Sequence, residues 1–289
     1  MVKQDTAEWL QLRKKYIGAS DAAIIMGKCK FKLPDGRIKT PRILWEEKLG
    51  LMNMSCDNAA TQYGKRMEDP ARKVYEKMTG IPVAPDVVFH KDVKYLMASL
   101  DGVSIDADFA VEIKNSNAHD HECAKNGRVP DHYFPQVQQQ LACLDLDRMH
   151  YFSFHKGEGI IVDVKIDLDY LELYYERAQE FWDYVENLEE PPLVDADFRE
   201  EGREWELKAS RLWEIEESIK RDIKLSKDLK DELKSLSEGF NARAGIFRLV
   251  GSARKGSVDY ERIPELKGVD LECFRKPPTH AWSLRRDRT

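Results

Sequence analysis

The stretch SLDGVSIDADFAVEIKN, residues 99–115, decides the fold that this sequence predicts. It has the pattern of a strand end, an Asp-rich turn and a second short strand. Alternate residues of a strand face the same side, so Glu112 and Lys114 point one way while Ile113 points into the core. Asp101 ends the first strand just before the turn. Two neighbouring strands therefore bring Asp101 and Glu112 within reach of one cation.

Such a group of side chains favours chemistry on a phosphate. Carboxylate oxygens and water suit Mg²⁺ or Mn²⁺. Lys114 beside them can orient a water molecule or lower its pKa, and the metal would stabilise charge that develops on the phosphate. A Glu-x-Lys on a strand edge is ordinarily a solvated cross-strand pair. Here Ala110, Val111 and Ile113 make the strand apolar around its charges, and a carboxylate on an otherwise buried strand usually has a function.

The rest of the chain predicts a helical N-terminal part, an α/β centre, a long helical element and a short β-rich tail. The predicted helices begin near residue 9 and span 20–27, 41–49, 62–78, 132–146 and 169–188, with a loop at 28–40. The predicted strands span 87–90, 95–104, 109–115, 149–154, 159–164 and 247–250. Residues 199–239 predict one long helix or a helical hairpin. We expect two parts, residues 1–195 and 196–289, with the second packed on the first.

Composition excludes several classes of protein. The 289 residues are 42% hydrophobic and 34% charged, which is typical of a soluble globular protein. We expect neither a membrane span nor a signal peptide. The five cysteines are scattered and form no C-x-x-C pair, so we expect no disulfide framework, zinc site or four-cysteine iron–sulfur cluster. The setting that we expect is the reducing cytoplasm.

Net charge gives little indication of a polyanionic substrate. The formal charge is −6, yet the residues from Phe240 onward carry 11 Lys or Arg against 6 Asp or Glu, a local charge of +5. Local potential, more than net charge, determines where a polyanion binds.

Four motifs together resemble a known family. The pattern Asp-x(n)-Glu-x-Lys is the signature of the PD-(D/E)XK nuclease superfamily. GKRMEDPAR at 64–72 and FPQVQQQL at 134–141 resemble two helices of its phage lambda exonuclease and YqaJ viral-recombinase branch, and Arg13-x(6)-Ser20-Asp21 resembles that branch's phosphate-binding segment. The segments at 254–260 and 274–277 resemble its C-terminal extension. The superfamily's Pro before the Asp is absent, because Ser99-Leu100 stands there.

The resemblance implies an α/β fold, a restriction-endonuclease-like core with a central mixed sheet flanked by helices and a C-terminal helical and β extension. It also implies roles for individual residues. Asp101, Glu112 and the Ile113 carbonyl would bind Mg²⁺ or Mn²⁺, and Lys114 would position the nucleophilic water. Glu68 would contact a metal-bound water or a second metal. Gln136 and Tyr133 would lie close to the catalytic centre. Arg13 and Ser20 would bind a 5′-terminal phosphate.

The activity implied by the resemblance is 5′→3′ digestion of one strand of linear double-stranded DNA. The 3′ single-stranded product would pass to a single-strand annealing protein, in a bacterial host that carries a phage or prophage. The resemblance also implies a ring-shaped homotrimer. The alternatives are a structure-specific or restriction-like endonuclease and a DNA-binding scaffold with a degenerate core. An intact Arg13–Ser20 pocket favours the exonuclease, because an endonuclease does not need a terminal phosphate.

Each of these residues also has a purely structural interpretation. Glu68 and Arg13 could be solvated surface charges, and residues 136–140 could form a polar helix face. His119-x-His121 is interpreted as a solvent-exposed loop pair and not as a metal site. The apolar positions Trp205, Leu212 and Ile219 fit core packing or a subunit contact better than base stacking.

Overall fold

The computed structural model describes residue 4 and residues 6–33, 36–52, 59–252, 256, 263–266 and 269. The chain forms two compact units, residues 1–199 and 200–289. The C-terminal motifs at 254–260 and 274–277 lie outside the described residues, apart from Gly256.

The first unit is built on a mixed six-stranded sheet. Its path runs β1-β3-β4-β5-β6, and β2 pairs with β3. The β1–β3 and β4–β5 pairs are parallel, and the other pairs are antiparallel. The strands are β1 (Ile17–Gly18), β2 (Ala84–Phe89), β3 (Leu96–Val103), β4 (Ala110–Asn115), β5 (Arg148–His155) and β6 (Glu158–Lys165).

Strand β3 is the centre of this sheet because it has three partners. Met97 pairs with both Gly18 of β1 and Phe89 of β2, so β1 and β2 lie on opposite edges of β3. Val103 pairs with β2 and with Ala110 of β4, so β4 lies on the same edge as β1. The β3–β4 ladder contains only two residue pairs. Between β1 and β4, the middle of that edge of β3 is therefore without a strand partner.

Helices cover both faces of the sheet. Helices α2, α6 and α7 pack on the face that contains the larger apolar cluster, with Leu141 and Tyr174 fully buried. Helix α4 packs on the other face, where Tyr75 contacts Phe152. The helices of this unit are α1 (Ala7–Lys14), α2 (Ala22–Ile25), α3 (Pro41–Lys48), α4 (Ala59–Thr79), α5 (Ala118–Lys125), α6 (Phe134–Leu144) and α7 (Leu168–Glu186).

Two local predictions differ from the structure. Ser20 does not cap a helix, because it lies inside a 3₁₀ turn, Ala19–Asp21, that precedes α2. The prediction that His119 and His121 lie in an exposed loop is wrong, since both belong to α5, whose first turn is capped by the Asn117 side chain. His121 is only 3% exposed and forms a hydrogen bond with Ser153 at 2.8 Å.

The second unit contains α8 (Arg203–Leu236), a single helix of 34 residues. It is followed by an antiparallel hairpin of β7 (Ala242–Ala244) and β8 (Phe247–Leu249). No residue of α8 is buried. Its apolar positions Trp205, Leu212 and Ile219 are therefore exposed, and they do not form the core of this unit. In the described part of the chain, no helix is long and apolar enough to cross a membrane.

Candidate active site

The predicted carboxylates Asp101 and Glu112 come together at the point where β3 and β4 separate. The last ladder pair before them is Gly102 with Val111. Beyond it, Oδ2 of Asp101 accepts a hydrogen bond from the backbone N–H of Ile113 at 2.8 Å. The Asp101 side chain thus replaces a strand hydrogen bond, and this contact fixes it beside β4.

Glu112 is almost completely buried, with 1% of its surface exposed. Its Oε1 accepts hydrogen bonds from Nε2 of Gln136, at 2.6 Å, and from Nζ of Lys114. Its Oε2 accepts from Nε2 of Gln140 at 2.5 Å. Both oxygens of this buried carboxylate therefore have hydrogen-bond donors, which offset the cost of its burial.

Burial and the neighbouring charges shift the pKa values of Asp101 and Lys114. Burial, the charge of Glu112 and the charge of Glu68 raise the pKa of Asp101 well above its ordinary value. Burial alone would lower the pKa of Lys114, but Glu112 and Asp101 outweigh that effect and raise it. Lys114 is therefore a cationic hydrogen-bond donor beside the two carboxylates. The Tyr133 ring centroid lies 5.1 Å from Nζ of Lys114.

The donor set at this position fits a divalent cation. Two buried carboxylates of like charge repel each other, as the raised pKa of Asp101 shows, and a bound cation would remove that repulsion. In the described residues, no three side chains of His, Cys, Asp or Glu group closely enough to hold a metal ion. The pair Asp101 and Glu112 could supply two side-chain ligands. Mg²⁺ typically uses one or two carboxylates and keeps several waters, which agrees with this count.

Glu68 and Tyr133 are near the cluster but do not line its cavity. On α4, Oε1 of Glu68 accepts from Nη2 of Arg72 at 2.6 Å, and Nε of Arg72 donates to the carbonyl of Asp101 at 2.8 Å. Arg72 therefore links Glu68 to the backbone of the strand that carries Asp101.

The predicted phosphate-binding residues open onto the same cavity as the carboxylates. The cavity has a volume of about 110 Å³ and lies at the edge of β3. Nη2 of Arg13 donates to Oγ of Ser20 at 3.0 Å, which holds these two residues together. The residues that line the cavity are Trp9, Arg13, Gly18, Ala19, Ser20, Met97, Ser99, Asp101, Glu112, Lys114 and Gln136.

Sequence reasoning missed three residues of this site. Trp9 lies 5.0 Å beneath the Arg13 guanidinium, and its Nε1 donates to Oγ of Ser99 at 3.0 Å. Ser99 could have been found, because it precedes Asp101 by two residues on one strand and so shares its face. Gln140 could also have been found, since it follows Gln136 by one helical turn.

The family comparison covers this whole arrangement. Residues 8–147 match the model of the YqaJ-like viral recombinase domain. The matched segment of this YqaJ-like domain contains every residue that lines the cavity.

A curated relative of the YqaJ-like domain is the uncharacterized protein YqaJ of Bacillus subtilis (strain 168), which is 29% identical over 181 residues. The alignment covers 61% of this chain and 54% of that protein, so the chain spans about half the length of the curated relative.

Solved structures give the fold. The crystal structure of an alkaline exonuclease from Laribacter hongkongensis superposes with a TM-score of 0.53 at 24% identity, over 63% of this chain and 93% of that one. The same enzyme in complex with dAMP gives a TM-score of 0.54 at 24% identity and the same coverage. The predicted PD-(D/E)XK-like core, a mixed sheet flanked by helices, is thereby confirmed.

Proposed function

We propose that this protein is a metal-dependent exonuclease that digests one strand of linear double-stranded DNA from its 5′ end. One observation carries the proposal. The cavity that is lined by Asp101, Glu112 and Lys114 is also lined by Arg13 and Ser20. The first group suits hydrolysis of a phosphodiester, and the second suits binding of a terminal phosphate. The structural similarity to an alkaline exonuclease supports the same activity.

Each side chain has a defined task in this proposal. Asp101 and Glu112, with the Ile113 carbonyl, would hold Mg²⁺ or Mn²⁺. A bound divalent cation would supply Lewis-acid stabilisation of charge on the scissile phosphate. Lys114 keeps its proton and donates a hydrogen bond that orients the attacking water. Gln136 fixes the Glu112 carboxylate through its 2.6 Å hydrogen bond, so the ligand oxygen does not rotate away.

Arg13 and Ser20 would determine the polarity of digestion. Arg13 offers guanidinium N–H groups, which suit the oxygens of a phosphate. Ser20 adds a hydroxyl beside it. A terminal 5′-phosphate bound here lies next to the group that hydrolyses the backbone, so digestion proceeds 5′→3′ and leaves 3′ single-stranded DNA. Glu68 and Tyr133 flank the site as a further acceptor and as an aromatic contact for Lys114.

Two partners belong to the same proposal. The 3′ single strand would pass to a single-strand annealing protein in phage-type recombination. A ring-shaped homotrimer would retain the DNA by encirclement, because a chain of net charge −6 holds a polyanion poorly by charge alone. Native mass spectrometry tests the ring, and a mass near the monomer's 33.5 kDa during processive digestion would contradict it.

The decisive experiment compares DNA ends and topology. Linear duplexes with 5′-phosphate or 5′-hydroxyl ends, and closed circular DNA, are incubated with Mg²⁺ or with EDTA. We expect digestion of linear DNA only, faster from 5′-phosphate ends, and none in EDTA. Asp163→Ala is a matched control for Asp101→Ala, since Asp163 is a β6 carboxylate that pairs with Arg148 of β5 and does not line the cavity. Cleavage of circular DNA would favour the endonuclease instead.

A further inference from the structure

Beside the cavity lies a buried ion pair to which no role has been assigned. Lys48 of α3 donates to Oδ2 of Asp21 at 2.6 Å, and the two side chains are 4% and 3% exposed. Neither residue lines the cavity. Burial of two charges has a high desolvation cost, so such a pair needs further contacts to be stable.

Lys48 obtains those contacts from the backbone around Arg13. Its ammonium group also donates to the carbonyl of Arg13 at 2.8 Å and to that of Tyr16 at 2.7 Å. An ammonium group has three N–H donors, and each has an acceptor here. This match favours the charged form, although burial lowers the pKa of Lys48 and Asp21 only partly offsets that effect. Lys48 therefore connects α3 to the end of the helix that carries Arg13.

Asp21 distributes its carboxylate between two cations. Its Oδ2 accepts from Lys48 and from the backbone N–H of Gly18 at 3.0 Å, while its Oδ1 faces Nη2 of Arg13 at 3.3 Å. Burial alone would raise the pKa of Asp21, but Lys48 and Arg13 lower it well below its ordinary value. One negative charge thus lies between two positive ones, and the trio keeps a net charge of +1.

That remaining charge is located at the cavity. In the described residues, the side-chain hydrogen bonds of Arg13 all come from Nη2, to Ser20 and Asp21. The N–H groups on Nε and Nη1 are therefore available to a ligand. If Lys48 were neutral, the full charge of Asp21 would oppose Arg13 alone, and Arg13 would attract an anion much less strongly.

We propose that Lys48 and Asp21 are positioning residues that keep Arg13 oriented, and its positive charge available, for a terminal phosphate monoester. Lys48 acts by compensating Asp21, and Asp21 acts by holding the guanidinium at the cavity wall. This inference rests on the proposed function, because it assumes that 5′-phosphate ends bind at Arg13.

The test measures kcat and KM on duplexes with 5′-phosphate and 5′-hydroxyl ends for wild type and Lys48→Met. We expect Lys48→Met to raise KM on phosphorylated ends, so that the preference in kcat/KM for phosphate falls at least about tenfold, the effect of losing a charge-assisted contact. Lys39→Met is the matched control. Lys39 is a nearby cation that pairs with Glu47 instead of Asp21, so this variant should keep most of the preference.

A double variant separates charge compensation from a merely structural role. Lys48→Met combined with Asp21→Asn removes both buried charges but keeps an Oδ1 that can accept from Nη2 of Arg13. Arg13 is then still held at the cavity wall and is again unopposed, so the phosphate preference should return. This variant also avoids the unpaired buried carboxylate that could unfold Lys48→Met, and it can then be compared directly with wild type.

Three outcomes have different meanings. A preference that returns in the double variant supports the inference. A double variant without phosphate preference, or a Lys48→Met variant with unchanged preference, overturns it. Wild-type protein that ignores the 5′-phosphate would instead contradict the end recognition in the proposed function.

Discussion

Replacement of Gln140 by Met should destabilise the first unit and reduce catalysis together. Gln140 is fully buried, and its Nε2 donates to Oε2 of Glu112 at 2.5 Å and to the carbonyl of Ser99 at 3.2 Å. Met has a similar volume, so the change removes two hydrogen bonds without creating a large cavity. It leaves one oxygen of a buried carboxylate without this donor.

The size of the effect follows from the types of bond. A hydrogen bond to a charged group contributes about 1.5–3 kcal/mol and a neutral one about 0.5–1.5 kcal/mol, so the variant should lose about 2–4.5 kcal/mol. Gln138→Met is a matched control on the same helix. Gln138 is equally buried but bonds only to the backbone, at Lys165 and Asp167, so this variant should lose about 1–3 kcal/mol.

The assay is native-state hydrogen exchange of amides in β4 and α6, which reports the opening free energy of this unit. A double-mutant cycle that combines Gln140→Met with Glu112→Gln isolates the hydrogen bond between these two side chains. In the Glu112→Gln variant the hydrogen bond loses the part of its strength that comes from the acceptor's charge. The coupling free energy between Gln140→Met and Glu112→Gln should therefore be about 1–1.5 kcal/mol. Gln138→Met should show no coupling with Glu112→Gln, and this variant should digest DNA at close to the wild-type rate. Additivity of Gln140→Met and Glu112→Gln within about 0.5 kcal/mol would refute the reasoning.

Three further predictions concern cleavage, end selection and pH. Asp101→Ala should abolish cleavage. Lys114→Ala should reduce cleavage at least about a hundredfold, while binding of DNA, measured by fluorescence anisotropy, persists. Cleavage by Asp101→Ala at the wild-type rate would contradict the assignment. Arg13→Ala should slow digestion of 5′-phosphate ends by at least about tenfold more than of 5′-hydroxyl ends, and equal losses on the two substrates would exclude end recognition. Nδ1 of His90 accepts hydrogen bonds from two backbone N–H groups, and burial lowers the pKa of His90 below 6.5. The stability that His90 contributes is therefore fully present above pH 6.5 and is lost as the pH falls through this lowered pKa. His90→Asn keeps an acceptor and should flatten this fall in thermal unfolding scans between pH 7 and pH 5, whereas an unchanged pH profile would rule His90 out as its source.

The parts of the site that could be predicted depend on local periodicity. Glu112 and Lys114 share a strand face because they are two residues apart, and the structure joins them through a direct contact. The same rule places Ile113 in the apolar cluster under α4. These relations need only the strand itself, and so a single sequence is sufficient to predict them.

The parts that could not be predicted depend on contacts between distant segments. Lys48 lies in the last turn of a helix, where a lysine usually extends into solvent, and only the approach of Asp21 from 27 residues away explains its burial. The sequence predicts an exposed loop at His121 because Gly and Asn residues occur in this segment. The same Asn117 is a helix cap, and the strand β5 then covers His121.

The buried glutamines explain how the sheet can open to form a cavity. Strands β1 and β4 pair with opposite ends of one edge of β3, which leaves the carbonyls between them without a strand partner. Unpaired buried carbonyls are costly, so side chains must replace the missing ladder. The replacements are Gln139 to Met97 at 2.9 Å, Gln140 to Ser99 at 3.2 Å and Arg72 to Asp101 at 2.8 Å. Two of these side chains come from α6, one turn after Gln136, so Gln139 and Gln140 are structural requirements of the gap. Because the gap contains the cavity, replacing Gln139 with an apolar residue would destabilise the opening without removing a hydrogen bond from either carboxylate.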